Sequence, residues 1–136
     1  MRESAVMRGE PHPSLRVTRV SGKGRGVLAG RPFGQGEIVD AAHVVVVPAA
    51  QWDDLERTTM RHYCFMWDDD AGSVAVALGR ASLFNHSFTP NVLSEKRMRD
   101  RLIVFTARRD IEAGEELTLN YNGEADCRDP VGFDVH

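Results

Sequence analysis

The chain has 136 residues, 42% of them hydrophobic, with a formal net charge of −3 and a pI of about 5.9. That length holds one domain, and the apolar content is enough for a real core, so global disorder is excluded. The acidic balance argues against a dedicated nucleic-acid binder, and the apolar runs, such as that at 44–47, are strand-sized and far short of a membrane span.

Residues 1–14 read as a loose polar arm without the apolar region of a secretory signal. Residues 15–20 alternate as a strand, with Leu15, Val17 and Arg19 on one side. Ser21-Gly22-Lys23-Gly24-Arg25-Gly26 is a glycine-rich loop, and residues 27–30 a short strand. Pro32-Phe33-Gly34-Gln35-Gly36 forms a turn, and the β-branched stretch 37–47 holds one or two strands before Pro48 stops it.

Residues 49–60 give the one helical pattern, with Trp52, Leu55 and Thr59 on a shared face and Asp53 and Asp54 near its positive end. Residues 62–67 then read as a strand with Tyr63, Phe65 and Trp67 on one face. After the turn Asp68-Asp69-Asp70-Ala71-Gly72, residues 73–78 set Val74, Val76 and Leu78 against Ser73, Ala75 and Ala77. Strands follow at 92–95, 101–107 and 117–121, and the polar stretch from 122 onward is a tail. Many short strands with regular turns and a single helix predict a mostly-β domain. No alternation of strands with helices supports a dinucleotide-binding α/β fold, so the glycine loop is not a Rossmann fingerprint.

Between these elements lies Ser82-Leu83-Phe84-Asn85-His86-Ser87-Phe88-Thr89-Pro90-Asn91. Its short polar side chains, closed by a proline, predict a tight ordered turn that fixes the directions of its backbone groups. His86 has no second His, Cys or carboxylate at ligand spacing, so a metal site is not expected there. The two cysteines, Cys64 and Cys127, allow at most one bridge and form no CxxC pair, which predicts reduced thiols and a cytoplasmic chain, or a nuclear one in a eukaryotic or viral source.

Three stretches in order, Gly24-Arg25-Gly26, then Asn85-His86-Ser87 with Pro90-Asn91, then Gly114-Glu115-Glu116-Leu117-Thr118-Leu119-Asn120-Tyr121, resemble the SET-domain protein-lysine methyltransferases. In size and layout the chain is similar to the minimal viral and bacterial members. The resemblance implies a β-clip-like fold of short strands with a C-terminal knot-like crossing and one short helix. It divides the chain into an arm at 1–14, a SET domain at 15–122, and a tail at 123–136 that completes the site.

The implied cofactor is S-adenosylmethionine, held by Lys23, Gly24, Arg25, Gly26, Asn85 and His86, with Tyr121 beside it and Phe133 covering it from the tail. Lys23 or Arg25 is a candidate partner for its carboxylate, and Asn91 is implied to tie the crossing together. Tyr121 matches the family's catalytic tyrosine, and Tyr63 matches a tyrosine that lines the lysine channel. Methyl transfer to an amine needs alignment and a neutral nucleophile, whereas free lysine has a pKa of about 10.4. Burial beside a positive sulfonium lowers that pKa by desolvation and by like charge, so no strong general base is needed.

The sequence departs from the family in lacking a flanking cysteine-rich zinc module and an aromatic pair after Tyr121, where Ala125 and Asp126 stand. Ser94 lies where some relatives place a channel tyrosine. A catalytically inactive SET-like interaction module is therefore the alternative to an enzyme. From residue 110 onward eight acids face one arginine, Arg128, which predicts a negative rim that attracts a lysine in a basic, histone-like protein segment. Neither nucleic acid nor membrane is an expected partner, and a homodimer that completes the groove is compatible with the small size.

Overall fold

A computed structural model of the chain describes residues 14–121; the expectations placed on Phe133, on the arm at 1–13 and on the tail from 122 onward lie outside the described residues. β1 (Leu15–Val20) and β2 (Gly24–Ala29) form an antiparallel hairpin. The Gly24-Arg25-Gly26 stretch expected in a loop is the start of β2, and the turn itself is confined to residues 21–23. On β1 only Leu15 is buried, and Val17 remains 36% exposed, because the hairpin is two-stranded and one of its faces is open.

β3 (Ile38–Val47) is a single strand of ten residues. Its first half pairs with β8 (Leu102–Ala107) and its second half with β5 (Ser73–Ala77). With β4 (Cys64–Asp68) and β7 (Val92–Arg97) these make a five-stranded sheet in the order β4-β5-β3-β8-β7. The sheet curls strongly: Lys96 on one edge strand reaches across to donate to the Trp67 carbonyl on the other, 3.1 Å away. Phe105 is fully buried inside the curl, edge-on to Phe84 at 5.5 Å and tilted against Phe65 at 6.1 Å. Phe33, Ile103, Ile111 and Leu117 complete the largest buried side chains around it.

Two expectations change. The helix of 49–60 is a short α1 (Trp52–Glu56) between two 3₁₀ turns, Ala49–Gln51 and Thr59–Tyr63. Thr58 breaks it: its backbone is extended, and its hydroxyl accepts from the Met60 N–H, capping a new turn instead of continuing the old one. Tyr63 therefore ends a 3₁₀ turn and does not share the strand of Phe65 and Trp67. On β5 the small residues Ser73, Ala75 and Ala77 face the core while Leu78 is 56% exposed. Ala75 is fully buried between Val46 and Phe65 in the register, and Val74 on the other face is buried as well.

The last two strands are minimal. β6 (Asn85–His86) runs parallel to β9 (Thr118–Leu119). The stretch around Asn85 is thus partly strand, and its turn is narrowed to residues 87–90, where the Ser87 hydroxyl accepts from the Thr89 N–H. Among the described residues no helix is long and apolar enough to cross a membrane.

Candidate functional site

The site is assembled where β2, β6 and β9 meet. β2 has β1 on one edge. On the other, residues 114–117 dock by backbone bonds, with the Leu117 N–H donating to the Val27 carbonyl at 2.8 Å and the Ala29 N–H to the Glu115 carbonyl at 2.8 Å. Leu117 is fully buried, so burial of this apolar side chain fixes the register, which pairs Glu116 with Leu28 and lets its carboxylate reach over Gly26.

Glu116 is the centre of a polar cluster. Lys23 Nζ donates to its Oε1 at 2.9 Å, and Asn85 Nδ2 donates to its Oε2 at 2.7 Å. Asn85 Nδ2 also donates to the Arg25 carbonyl at 3.1 Å. These atoms occupy the space a side chain on residue 26 would need. A Cβ there would stand 2.7 Å from Asn85 Nδ2, 2.7 Å from Val20 Cγ2 and 2.8 Å from Glu116 Oε2. Gly26 is thus glycine because a polar pair lies on its Cα, and Gly24 because its φ is +79°, in the left-handed region.

His86 is buried and packs edge-on to Phe88 at 4.5 Å. Its Nδ1 accepts from the Tyr121 N–H at 3.0 Å, which assigns the imidazole proton to Nε2. Burial holds its pKa below the usual histidine value, and the Lys23 ammonium adds to that, so the ring is neutral at physiological pH. The neighbouring Phe84 is anchored against Phe105, and its carbonyl faces the other way to accept the Tyr121 hydroxyl at 2.6 Å. The tyrosine is 43% exposed overall, but its hydroxyl end is turned inward. Burial first, then the negative charge of Glu116 and the proximity of Tyr63, push the Tyr121 phenol up to about 12.

Asn91 closes the arrangement from below. Its Oδ1 accepts from the Thr118 N–H at 2.9 Å, and its Nδ2 donates to the Glu116 carbonyl at 2.8 Å. It bonds the crossing, as expected of it.

The structure therefore brings together Lys23, Gly24, Arg25, Gly26, Asn85, His86 and Tyr121, with Tyr63 near enough to Tyr121 to influence its ionisation. The two candidate partners for a ligand carboxylate differ in their surroundings. The Lys23 ammonium is engaged by Glu116 and is not held out for a ligand, whereas Arg25 is exposed. Ser94 is half-buried on β7, paired with Phe105. Sequence reasoning missed two contributors, the Phe84 carbonyl and the Glu116 carboxylate. Lys23 and Glu116 carry complementary charges but stand 93 residues apart, so no local spacing signals the pair. Glu115 is bonded by Arg109 at 3.0 Å, which leaves Asp110 and Glu112 as the exposed acids of 110–121; the negative rim is weaker there than a count of acids implies.

The family profile described as SET domain matches residues 24–122. The chain belongs to the SET-domain family of protein-lysine methyltransferases. The match takes in every strand from β2 to β9 and all three motifs. A Schizosaccharomyces pombe protein named histone-lysine N-methyltransferase, H3 lysine-37 specific, is 30% identical over 108 residues, which cover 79% of this chain and 72% of that protein. Set8 of Drosophila melanogaster is 31% identical over 138 residues, and N-lysine methyltransferase KMT5A of Xenopus tropicalis is 30% identical over 121. This SET domain spans only 19% and 35% of those two longer proteins. The fold is that of solved SET structures. CpSET8 from Cryptosporidium superposes with a TM-score of 0.64 at 20% identity, over 86% of this chain and 61% of that one. The Plasmodium falciparum histone methyltransferase candidate PFL0690c gives 0.62 at 19% identity, over 81% and 98%.

Proposed function

We propose that the chain transfers a methyl group from S-adenosylmethionine to a lysine side-chain amine in a basic, histone-like protein segment. The observation that carries this reading is the convergence of three distant motifs: Asn85 hooks the Arg25 carbonyl, and His86, next to it, receives the backbone N–H of Tyr121.

The residues present fit the cofactor. The backbone of residues 23–26 turns at Gly24, which has a φ of +79° and is exposed with no heavy atom within 4 Å of where its Cβ would stand, while the Cα of Gly26 is covered by Asn85, Val20 and Glu116. Lys23, Gly24, Arg25, Gly26, Asn85 and His86 would hold it, together with Phe133 from the tail. Bound there, S-adenosylmethionine supplies an electrophilic methyl group on a sulfonium centre.

The chain's own residues do the rest. Tyr121 is held at both ends, by the His86 ring at its N–H and the Phe84 carbonyl at its hydroxyl. With its phenol pushed up to about 12 it stays protonated at any physiological pH, and because its proton goes to the Phe84 carbonyl its oxygen accepts an amine N–H and leaves the amine lone pair free to attack, without offering a full negative charge. A phenolate there would hold lysine as the unreactive ammonium. Tyr63 provides an aromatic wall for the lysine stem, which suits its cationic forms. The substrate preference rests on the acids from residue 110 onward.

The test is transfer from methyl-labelled S-adenosylmethionine to histones and cell-extract proteins, with calorimetry for S-adenosylhomocysteine. Label on protein lysines supports the reading; binding without transfer leaves an inactive interaction module; neither removes it. Matched lysine peptides with basic and acidic flanks then test the substrate class. Basic flanks should raise kcat/KM at low salt, and the advantage should shrink as salt screens it.

A further inference from the structure

We infer that Glu116 is a positioning residue, whose carboxylate sets the Gly24–Gly26 backbone and the Asn85 side chain in the arrangement that the cofactor requires. The inference rests on the function proposed above and adds a residue to it.

The geometry is that of a clamp. One carboxylate receives Lys23, from the β1–β2 turn, on one oxygen at 2.9 Å and Asn85, from β6, on the other at 2.7 Å. Asn85 in turn holds the Arg25 carbonyl. Two chain segments far apart in sequence, the β1–β2 hairpin at 23–25 and β6 at Asn85, are thus tied to the residue that begins the run into β9. The cluster is well shielded, since the Lys23 and Glu116 side chains are only 15% and 17% exposed. Charge-assisted bonds in such a setting are short and directional, and losing one partner strands the other.

The clamp also fixes a choice that Asn85 could not make alone. A side-chain amide can present either its oxygen or its nitrogen to a neighbour. With a carboxylate on one side and the Arg25 carbonyl on the other, two acceptors face Nδ2, so the amide nitrogen points into the clamp and Oδ1 is turned to the opposite side. Glu116 therefore decides which Asn85 atom is offered to a ligand. Replacing it by glutamine keeps the shape and one oxygen acceptor, but removes the charge that holds Lys23 and sets an amide NH2 donor against either Lys23 or Asn85.

The experiment compares the full chain with Glu116→Gln and Lys23→Met. S-adenosylhomocysteine affinity is measured by calorimetry, folding by thermal melts, and tyrosine ionisation by ultraviolet titration. Tyr63 and Tyr121 are the only two tyrosines in the sequence, so in a Tyr63→Phe background the titration reports Tyr121 alone. If the parent chain does not bind S-adenosylhomocysteine, the proposed function fails, whatever the variants do.

If the parent binds, Glu116→Gln should bind at least tenfold more weakly with its melt largely kept. One tyrosine should also titrate at lower pH, because the negative charge beside Tyr121 is gone. A folded Glu116→Gln that binds as the parent does overturns the inference. Should Glu116→Gln not fold, Lys23→Met decides. Left uncompensated, Glu116 should weaken S-adenosylhomocysteine binding several-fold and move one tyrosine to higher pH. A change in affinity alone, which direct contact between Lys23 and the ligand would give, or no change in either, overturns it.

Discussion

The crossing formed by residues 85–91 and 116–121 and the helical stretch 49–63 are opposite kinds of structure. In the crossing, His86, Asn91, Leu117, Thr118, Leu119 and Asn120 are buried, and nearly every polar group bonds to a residue far away in sequence. In the helical stretch no residue is buried in any of the three short turns, and the bonds are local: the Thr58 hydroxyl to the Leu55 carbonyl, Arg57 to Asp54, Cys64 to the Met60 carbonyl. The difference teaches where rigidity is placed. The part that holds Tyr121 is over-determined, and the part that carries Tyr63 is held by little beyond itself. Segments with few buried contacts open at a fraction of the global unfolding free energy, so the stretch that carries Tyr63 should open more readily than the one that holds Tyr121.

The sharpest break of this comparison is Tyr121→Phe, which removes one hydroxyl and leaves the fold. Methyl transfer should fall about 10²–10³-fold, the scale of losing one well-placed transition-state contact, with S-adenosylhomocysteine affinity within twofold of the parent. Parent-like rates would show that the rigid half does not hold the catalytic group.

Next in size, Gly26→Ala forces a methyl group into contacts under 3.0 Å with Asn85, Val20 and Glu116. Overpacking of this kind costs about 1–3 kcal/mol, and urea melts should register it together with a loss of cofactor binding. An alanine accepted at no cost would mean the cluster on Gly26 is loose.

A pH series sharpens the comparison further. The His86 pKa is held down in the folded state, so the unfolded chain takes up the proton first as pH falls. The associated stability is present above the ordinary histidine value of 6.5 and is lost as pH drops through the folded value. Protonation also removes the acceptor for the Tyr121 N–H. The Tyr121 phenol is raised, so its contribution is intact below 10 and is lost as pH rises toward about 12. Melts across this range should decline at both ends, and His86→Gln should flatten the acid limb.

The smallest effect belongs to the loose half. Thr58→Ala removes the cap of the Thr59–Tyr63 turn and should cost about 1 kcal/mol or less. Hydrogen exchange should quicken across 49–63 and stay unchanged at 85–86 and 118–119. Equal quickening in both places would mean that they open as one unit.

The same contrast explains what could be read from the sequence. Strand Leu15–Val20 and the strands β3, β5 and β8 were legible because β-branched runs bounded by Gly and Pro leave few alternatives. The residues that meet at the crossing were legible as motifs, through their resemblance to a family. Their bonding was not, because a hydrogen bond between Asn85 and Glu116, or between Tyr121 and the Phe84 carbonyl, depends on a parallel pairing that no local pattern encodes. The helix of 49–60 was misjudged for the reverse reason. Helical spacing was present in Trp52 and Leu55, but a threonine hydroxyl at position 58 competed with the backbone and won.

The parallel contact between β6 and β9, and the Lys23–Glu116 pair, also set an order of events during synthesis. The β1–β2 hairpin leaves the ribosome early, yet the backbone that covers its second edge arrives only with residues 114–117, and the partner of Lys23 lies 93 residues downstream. At a translation rate of about 5–20 residues per second, the glycine segment waits roughly 5–20 s before Glu116 exists. During that interval the nascent chain holds half a clamp and no crossing, so a ribosome-bound fragment ending before residue 116 should not retain cofactor. The site is the last part of the domain to be born, and activity becomes a report that the domain has been completed.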